Sequence, residues 1–180
     1  MKTLIIILCM LSQVSIAVSQ EVKTKKELRK EAREARLEQQ FQATDSLLNS
    51  KNFVFNANTK TSSSGYQRNA ASGVNFISVN ADNVVTQTGS NNGKGYNDVG
   101  GVTVKGKITK WDMIKDDKNK SFNLHLEVVS SLCGFPYDIT IAVSADGRAT
   151  ASMGGNSLFD GNIVDRDYAH IYTGEAYFVY

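Results

Sequence analysis

The feature that most limits how this chain can fold is a two-residue alternation of apolar and polar side chains, recurring from Phe53 almost to the end. It is cleanest at Phe122, Leu124, Leu126 and Val128, which interleave with Ser121, Asn123, His125 and Glu127. Successive side chains of a strand point to opposite faces, so this pattern predicts a strand with one buried and one wet face. Val102, Val104 and Ile108 alternate with Thr103, Lys105, Lys107 and Thr109 in the same way. Gly106 falls on the apolar side, where it permits a bend or a close backbone contact. Trp111 and Met113 then move the bulk to the other parity, which predicts a bulge near Lys110.

Shorter runs with strand character lie at Phe53 to Ala57, Val74 to Asn80, Val84 to Thr88, Phe135 to Val143, Arg148 to Met153, Leu158 to Val164 and Tyr168 to Thr173. A fragment at Tyr66 to Asn69 and a last piece at Ala176 to Tyr180 are weaker. Ala81-Asp82-Asn83, Asp116 to Lys120 and Ala145-Asp146-Gly147 are turn sequences that join neighbours as hairpins. With no room for crossover helices, a parallel α/β sheet is excluded. The predicted fold is mainly β, a small antiparallel β-barrel over residues 51–180, with a β-sandwich as the alternative. A closed barrel removes exposed strand edges most completely, and Gly106 and the hairpin order favour it.

Two different segments precede the strands. Residues 1–19 carry Lys2, an apolar run from Leu4 to Leu11, and small residues at Ala17 and Ser19, the pattern of a secretory signal peptide cleaved after Ser19. The run is too short to anchor the chain, because crossing a bilayer takes about 20 apolar residues. Cys9 interrupts the apolar core and follows bulky residues, which is the wrong setting for lipidation. Residues 20–50 are rich in Lys, Glu, Arg, Ala, Leu and Gln without Gly or Pro, and predict a helix. Ala35, Leu37, Phe41 and Leu48 fall near one stripe, so packing is expected from about Leu37, after a highly charged start.

The net charge is +2 at neutral pH. The basic residues of the helix alternate with glutamates, so the sequence offers no general field for nucleic acid or for anionic lipid. Without Cys9, Cys133 has no partner for an internal disulfide, and no histidine near it in sequence would activate it. It reads as a small buried hydrophobe.

The middle of the chain carries a distinctive word order: Asn75-Phe76-Ile77-Ser78-Val79, then Gln87 to Gly93, then Gly95-Tyr96-Asn97-Asp98-Val99-Gly100-Gly101 running into Val102 to Gly106. Together with the leader, the charged helix and Asn52-Phe53-Val54, it resembles a family of exported Bacteroidetes proteins catalogued as domain of unknown function 4251. The likeness runs from about Glu27 to Val164. It implies an envelope or periplasmic location and a small lipocalin-like barrel. It implies no activity, substrate or cofactor.

The best candidate site is the stretch from Gly89 to Gly101. Its glycines and asparagines read first as the left-handed and turn residues that a long hairpin connection demands. As a binding rim, Asn91, Asn92, Asn97 and Asp98 would supply polar contacts, Tyr96 a stacking surface and Lys94 an anion contact. The stretch lacks the Gly-Lys-Ser/Thr ending of a phosphate loop. One acid among Asn91, Asn97 and Asp98 is too few for calcium, and Asp116, Asp117 and Asn119 read as a solvated turn. His125, His170 and Cys133 have no zinc spacing. Ser130, Ser131 and Ser157 lack a nucleophile elbow. Asp160, Asp165 and Asp167 offer a thin case for paired carboxylates. The sequence thus predicts a monomeric, non-enzymatic envelope protein without a cofactor that binds a small apolar ligand or an envelope component. A structural or interaction module with a solid core is the alternative, and a glycan-acting enzyme comes third.

Overall fold

A computed structural model describes residues 24–71, 73–90, 99–153 and 157–174. The leader, the six candidate site residues Asn91, Asn92, Lys94, Tyr96, Asn97 and Asp98, and the piece from Ala176 to Tyr180 lie outside the described residues. The chain divides into two compact units, residues 1–34 and 35–180.

The described part of the first unit is the opening of helix α1 (Lys25–Asn49). A reciprocal cap starts it: Thr24 N donates to Glu27 Oε2 at 2.7 Å, and Glu27 N donates to Thr24 Oγ1 at 3.3 Å. This satisfies amides that the first turn otherwise leaves open. It also holds the Glu27 carboxyl below its ordinary pKa, chiefly through the Thr24 backbone bond.

The second unit is a closed antiparallel barrel. Its strands are β1 (Asn52–Ser62), β2 (Gln67–Asn69), β3 (Phe76–Asn80), β4 (Asn83–Thr88), β5 (Val102–Asp116), β6 (Ser121–Ser130), β7 (Pro136–Ser144), β8 (Arg148–Met153) and β9 (Ser157–Asp165). Pairing runs β1-β3-β4-β5-β6-β7-β8-β9 and returns from β9 to β1, so eight strands close. The short β2 extends the edge of β1 beyond β3 through Thr59↔Asn69 to Thr61↔Gln67. The β5–β6 register shifts between Ile108 and Lys110, so the bulge falls where the change of parity predicted it. A second shift, between Ala57 and Thr59, bends β1 along the closing seam with β9.

The inward positions make the core: Phe53, Phe55, Ala57, Ile77, Val79, Val84, Phe122, Leu124, Leu126, Val128, Ile139, Ile141, Val143, Ala149, Ala151 and Phe159. Val84 pairs with Gly106. A Cβ there would stand 2.6 Å from Val128 Cγ1 and 2.8 Å from Val129 O, which is the close approach expected of this glycine. The Tyr137 hydroxyl is buried nearby without a hydrogen-bond partner among the described residues. Burial raises its pKa. Thr86 pulls the other way, though not in a geometry that makes a hydrogen bond.

From Ala35 onward, α1 packs on the barrel end where β1 begins and where the β5–β6 and β7–β8 hairpins turn. Packing begins one turn later than the sequence predicts: Leu37 is exposed and Phe41 is the first fully buried position. Phe41 stacks on Phe122 with ring centroids 4.7 Å apart, and Leu48 joins the same core. Thr44 Oγ1 donates to Ala145 O at 2.8 Å. Lys115 Nζ meets Asp45 Oδ2 at 2.6 Å, and Lys120 Nζ meets Glu38 Oε2 at 2.7 Å. The Lys120 bond and a Gln42 bond hold the Glu38 carboxyl below its ordinary pKa. The barrel partners Lys115, Lys120, Phe122 and Ala145 are 70 or more residues from the helix residues they meet, so only the fold reveals where the helix seats.

The segment after β9 corrects the sequence reading. Tyr168 to Thr173 is not a strand: Arg166–Tyr168 form a single 3-10 turn, capped by Asp165, and residues 169–174 run on without regular structure. They cover an outward-facing register row, Asn56↔Phe76↔Gln87↔Thr103, whose last three members are almost fully buried. Gln87 Nε2 donates to Val74 O and to Tyr172 O, each at 2.8 Å, while its Oε1 accepts from Thr103 Oγ1 and Gly174 N. Tyr172 N donates to Gly73 O at 2.9 Å. A buried amide with every lone pair and proton engaged is a specific anchor, which explains why the strap settles there.

Candidate binding site

The barrel has two unlike ends. α1 closes one of them. The other, formed by the last residues of β1, β4, β6 and β8 and the first of β3, β5, β7 and β9, holds a depression of about 440 Å³. Lys60, Arg68, Asn69, Asn75, Thr88 and Ser90 are among its lining residues, and no carboxylate is among the described residues that line it. Lys60 and Arg68 face each other across β1 and β2. Lys60 Nζ lies 5.3 Å from the Phe159 ring centroid, and the Arg68 guanidinium lies 5.0 Å from that of Tyr66. Both cations therefore rest on aromatic faces instead of on acids, which leaves their charge available to an anion.

The candidate loop meets this depression through its stems. Ser90 N donates to Val99 O at 3.0 Å, Ser90 Oγ donates to Gly100 O at 3.2 Å, and Gly89 N donates to Asn75 Oδ1 at 3.0 Å. Gly89, Ser90 and Gly100 line the depression. Sequence reasoning singled out the loop but missed Lys60 and Arg68, because Lys60 stands alone in a Ser/Thr/Asn-rich stretch and Arg68 falls in the weak strand fragment from Tyr66 to Asn69. A signal was present: from residue 59 to residue 71 the chain carries these two cations and no acid.

The outer face of β5 to β9 carries two further shallow depressions, of about 340 and 580 Å³. Asp112, His125, Thr140, Ser152 and Leu158 form one register row across it. His125 Nε2 lies 3.5 Å from Asp138 Oδ1. Asp160 accepts from Thr150 Oγ1 at 2.9 Å and Thr59 Oγ1 at 3.2 Å, which ties β8, β9 and β1 together. Asp165 is spent on capping, its Oδ1 accepting from Asp167 N at 2.9 Å. The Asp116 carboxylate accepts from Lys118 N, Asn119 N and Asn119 Nδ2, and these bonds hold its pKa below the ordinary value. It closes a hairpin turn. Cys133 is half-buried in the β6–β7 turn, with Sγ 3.7 Å from Ser130 Oγ, so it is less enclosed than the sequence predicts. His170 is exposed in the strap. The structure thus distributes His125, His170 and Cys133 over three separate elements. Among the described residues no three His, Cys, Asp or Glu side chains form a group that could hold a metal ion.

A closed eight-stranded antiparallel barrel with one N-terminal helix is therefore the class of protein defined here. The chain belongs to the family described as "Domain of unknown function (DUF4251)", whose model matches residues 35–157. The fold is similar to the crystal structure of a DUF4251 family protein from Bacteroides eggerthii, with a TM-score of 0.57 and 22% identity over 70% of this chain and 87% of that one. No curated protein matches the chain. No helix among the described residues is long and apolar enough to cross a membrane.

Proposed function

We propose that the chain is an exported, non-enzymatic binding module of the bacterial cell envelope, and that its partner meets the open end of the barrel instead of entering the interior. The observation that carries this reading is the contrast between the two regions. Phe53, Phe55, Phe122, Leu126, Ile139 and Phe159 are no more than 1% exposed and fill the space an apolar ligand would need, with Phe41 of α1 set against them. The open end instead presents Lys60 and Arg68 beside described residues that are uncharged, among them Asn69, Asn75, Thr88 and Ser90. The leader at residues 1–19 supports export, with removal after Ser19. The acids that could serve glycoside chemistry are committed elsewhere, Asp160 to a cross-strand tie and Asp165 to a cap.

The test is a titration with a short sulfated oligosaccharide as an anionic probe, followed by amide chemical shifts. Shifts are expected at Lys60, Arg68 to Ala71, Thr88 to Ser90 and Val99 to Gly101, and they should vanish in a Lys60→Glu, Arg68→Glu double variant. Shifts confined to the outer row from Asp112 to Ser152, or binding unchanged in the variant, would place the site elsewhere.

A further inference from the structure

We propose that the open end docks on an anionic phospholipid surface, with Leu132 and Phe135 entering the headgroup layer while Lys60, Arg68 and Lys105 face its phosphates. This rests on the reading that the open end is the working surface. The β6–β7 turn projects there without a charged residue, and Leu132 and Phe135 are 57% and 61% exposed. Tyr66, in the β1–β2 turn at the same end, is 62% exposed. Apolar side chains of this size on two separate turns suit a broad interface better than a narrow pocket.

Charge points to the same partner. Ser131 N donates to Lys105 O at 2.8 Å, which fixes Lys105 beside the apolar turn. Lys60, Arg68 and Lys105 enter no ion pair among the described residues. Of the described residues at this end, 59–71, 73–76, 87–90, 99–106, 130–137, 150–153 and 157–159 carry no Asp or Glu, and Asp160, the next residue of β9, is tied to Thr59 and Thr150. The acids Asp45, Asp82, Asp116, Asp117 and Asp146 sit instead on α1 and the turns of the closed end. Asp45, Asp82, Asp117 and Asp146 are paired there with Lys115, Lys51, Lys115 and Arg148. Cations without an acid partner at one end and paired charges at the other let a negative surface orient the barrel before contact.

Cosedimentation with lipid vesicles tests this. The chain should bind vesicles of phosphatidylcholine mixed with phosphatidylglycerol and bind pure phosphatidylcholine at least about tenfold less, with release in high salt. Lys60→Glu with Arg68→Glu should weaken binding by about fivefold or more per cation. Leu132→Ser with Phe135→Ser should weaken it by about tenfold with no change in charge. All four positions avoid the barrel core, and an unchanged melting temperature confirms folding. Parent and variants share one N-terminus, so the apolar residues 4–11 contribute equally and cancel in the comparison. Equal binding to both vesicles, no binding to either, or indifference to both double variants would overturn the proposal. If inorganic phosphate or the sulfated oligosaccharide binds at Lys60 and Arg68 while vesicles do not, docking fails and the open-end binding function stands.

Discussion

Replacing Gly161 by alanine is expected to cost about 3 kcal/mol or more of folding stability, because it strikes the seam that closes the barrel. Gly161 pairs with Ala57 where β9 meets β1, one step from the register shift in β1. A Cβ there would collide with Asn56 O and would lie 2.8 Å from Asn56 C and 2.9 Å from Ala57 Cα. These are backbone atoms, held by the β1–β3 ladder on their other side through Asn56↔Phe76. No side-chain rotation relieves the contact, so the strands must part. Urea unfolding should show the loss as a lower midpoint, and hydrogen exchange should rise along β1 and β9 before β6 and β7. A variant within about 0.5 kcal/mol of the parent would mean the seam is looser than described.

Phe41→Ala should cost about 3–5 kcal/mol, the range for truncating a buried phenylalanine. The ring is 0% exposed, stacks on Phe122, and has the Lys115 and Lys120 ammonium groups 4.9 and 4.8 Å from its centroid. Losing it removes core packing and the aromatic face on which both lysines rest, while Asp45 and Glu38 still hold those lysines from the helix side. Leu37→Ala, at a position 42% exposed, is the matched control and should change stability by less than about 1 kcal/mol. Thermal and urea unfolding of the two variants measure the difference. Similar losses at both positions would contradict the point at which the helix begins to pack.

The closed barrel was legible in the sequence because its core follows parity. Phe122 to Val128 faces inward as the alternation dictates, and the bulge near Lys110 announced itself as a change of parity. The exceptions lie where burial comes from a non-repeating contact. Gln87 and Thr103 have outward parity yet are 0% exposed, because the segment after β9 folds over them. That same segment, Tyr168 to Thr173, has the composition of a strand, but no ladder receives it and its bonds go to Gly73 and Gln87 instead. The helix stripe was visible at Phe41 and Leu48, whereas its true start depends on Phe122 and Ala145, far away in sequence.

The candidate site divides in the same way. The stretch from Gly89 to Gly101 drew notice through an unusual run of glycine and asparagine, and its stems do border the open-end depression. Lys60 and Arg68 became conspicuous only after β1 and β2 paired and set them opposite each other. Single cations in a polar stretch carry no signal until register brings them to one face and leaves them without an acid.

The proposed binding at the open end requires an interior that is already filled. A titration with a long-chain fatty acid, read through the side-chain methyl signals of Leu124, Ile139 and Ile141, decides between the two regions. Those signals should stay fixed at every concentration, and any saturable change should fall at Tyr66, Leu132 or Phe135 on the open end. Saturable shifts at Leu124, Ile139 and Ile141 would place a ligand inside the barrel and rule out binding at the open end alone.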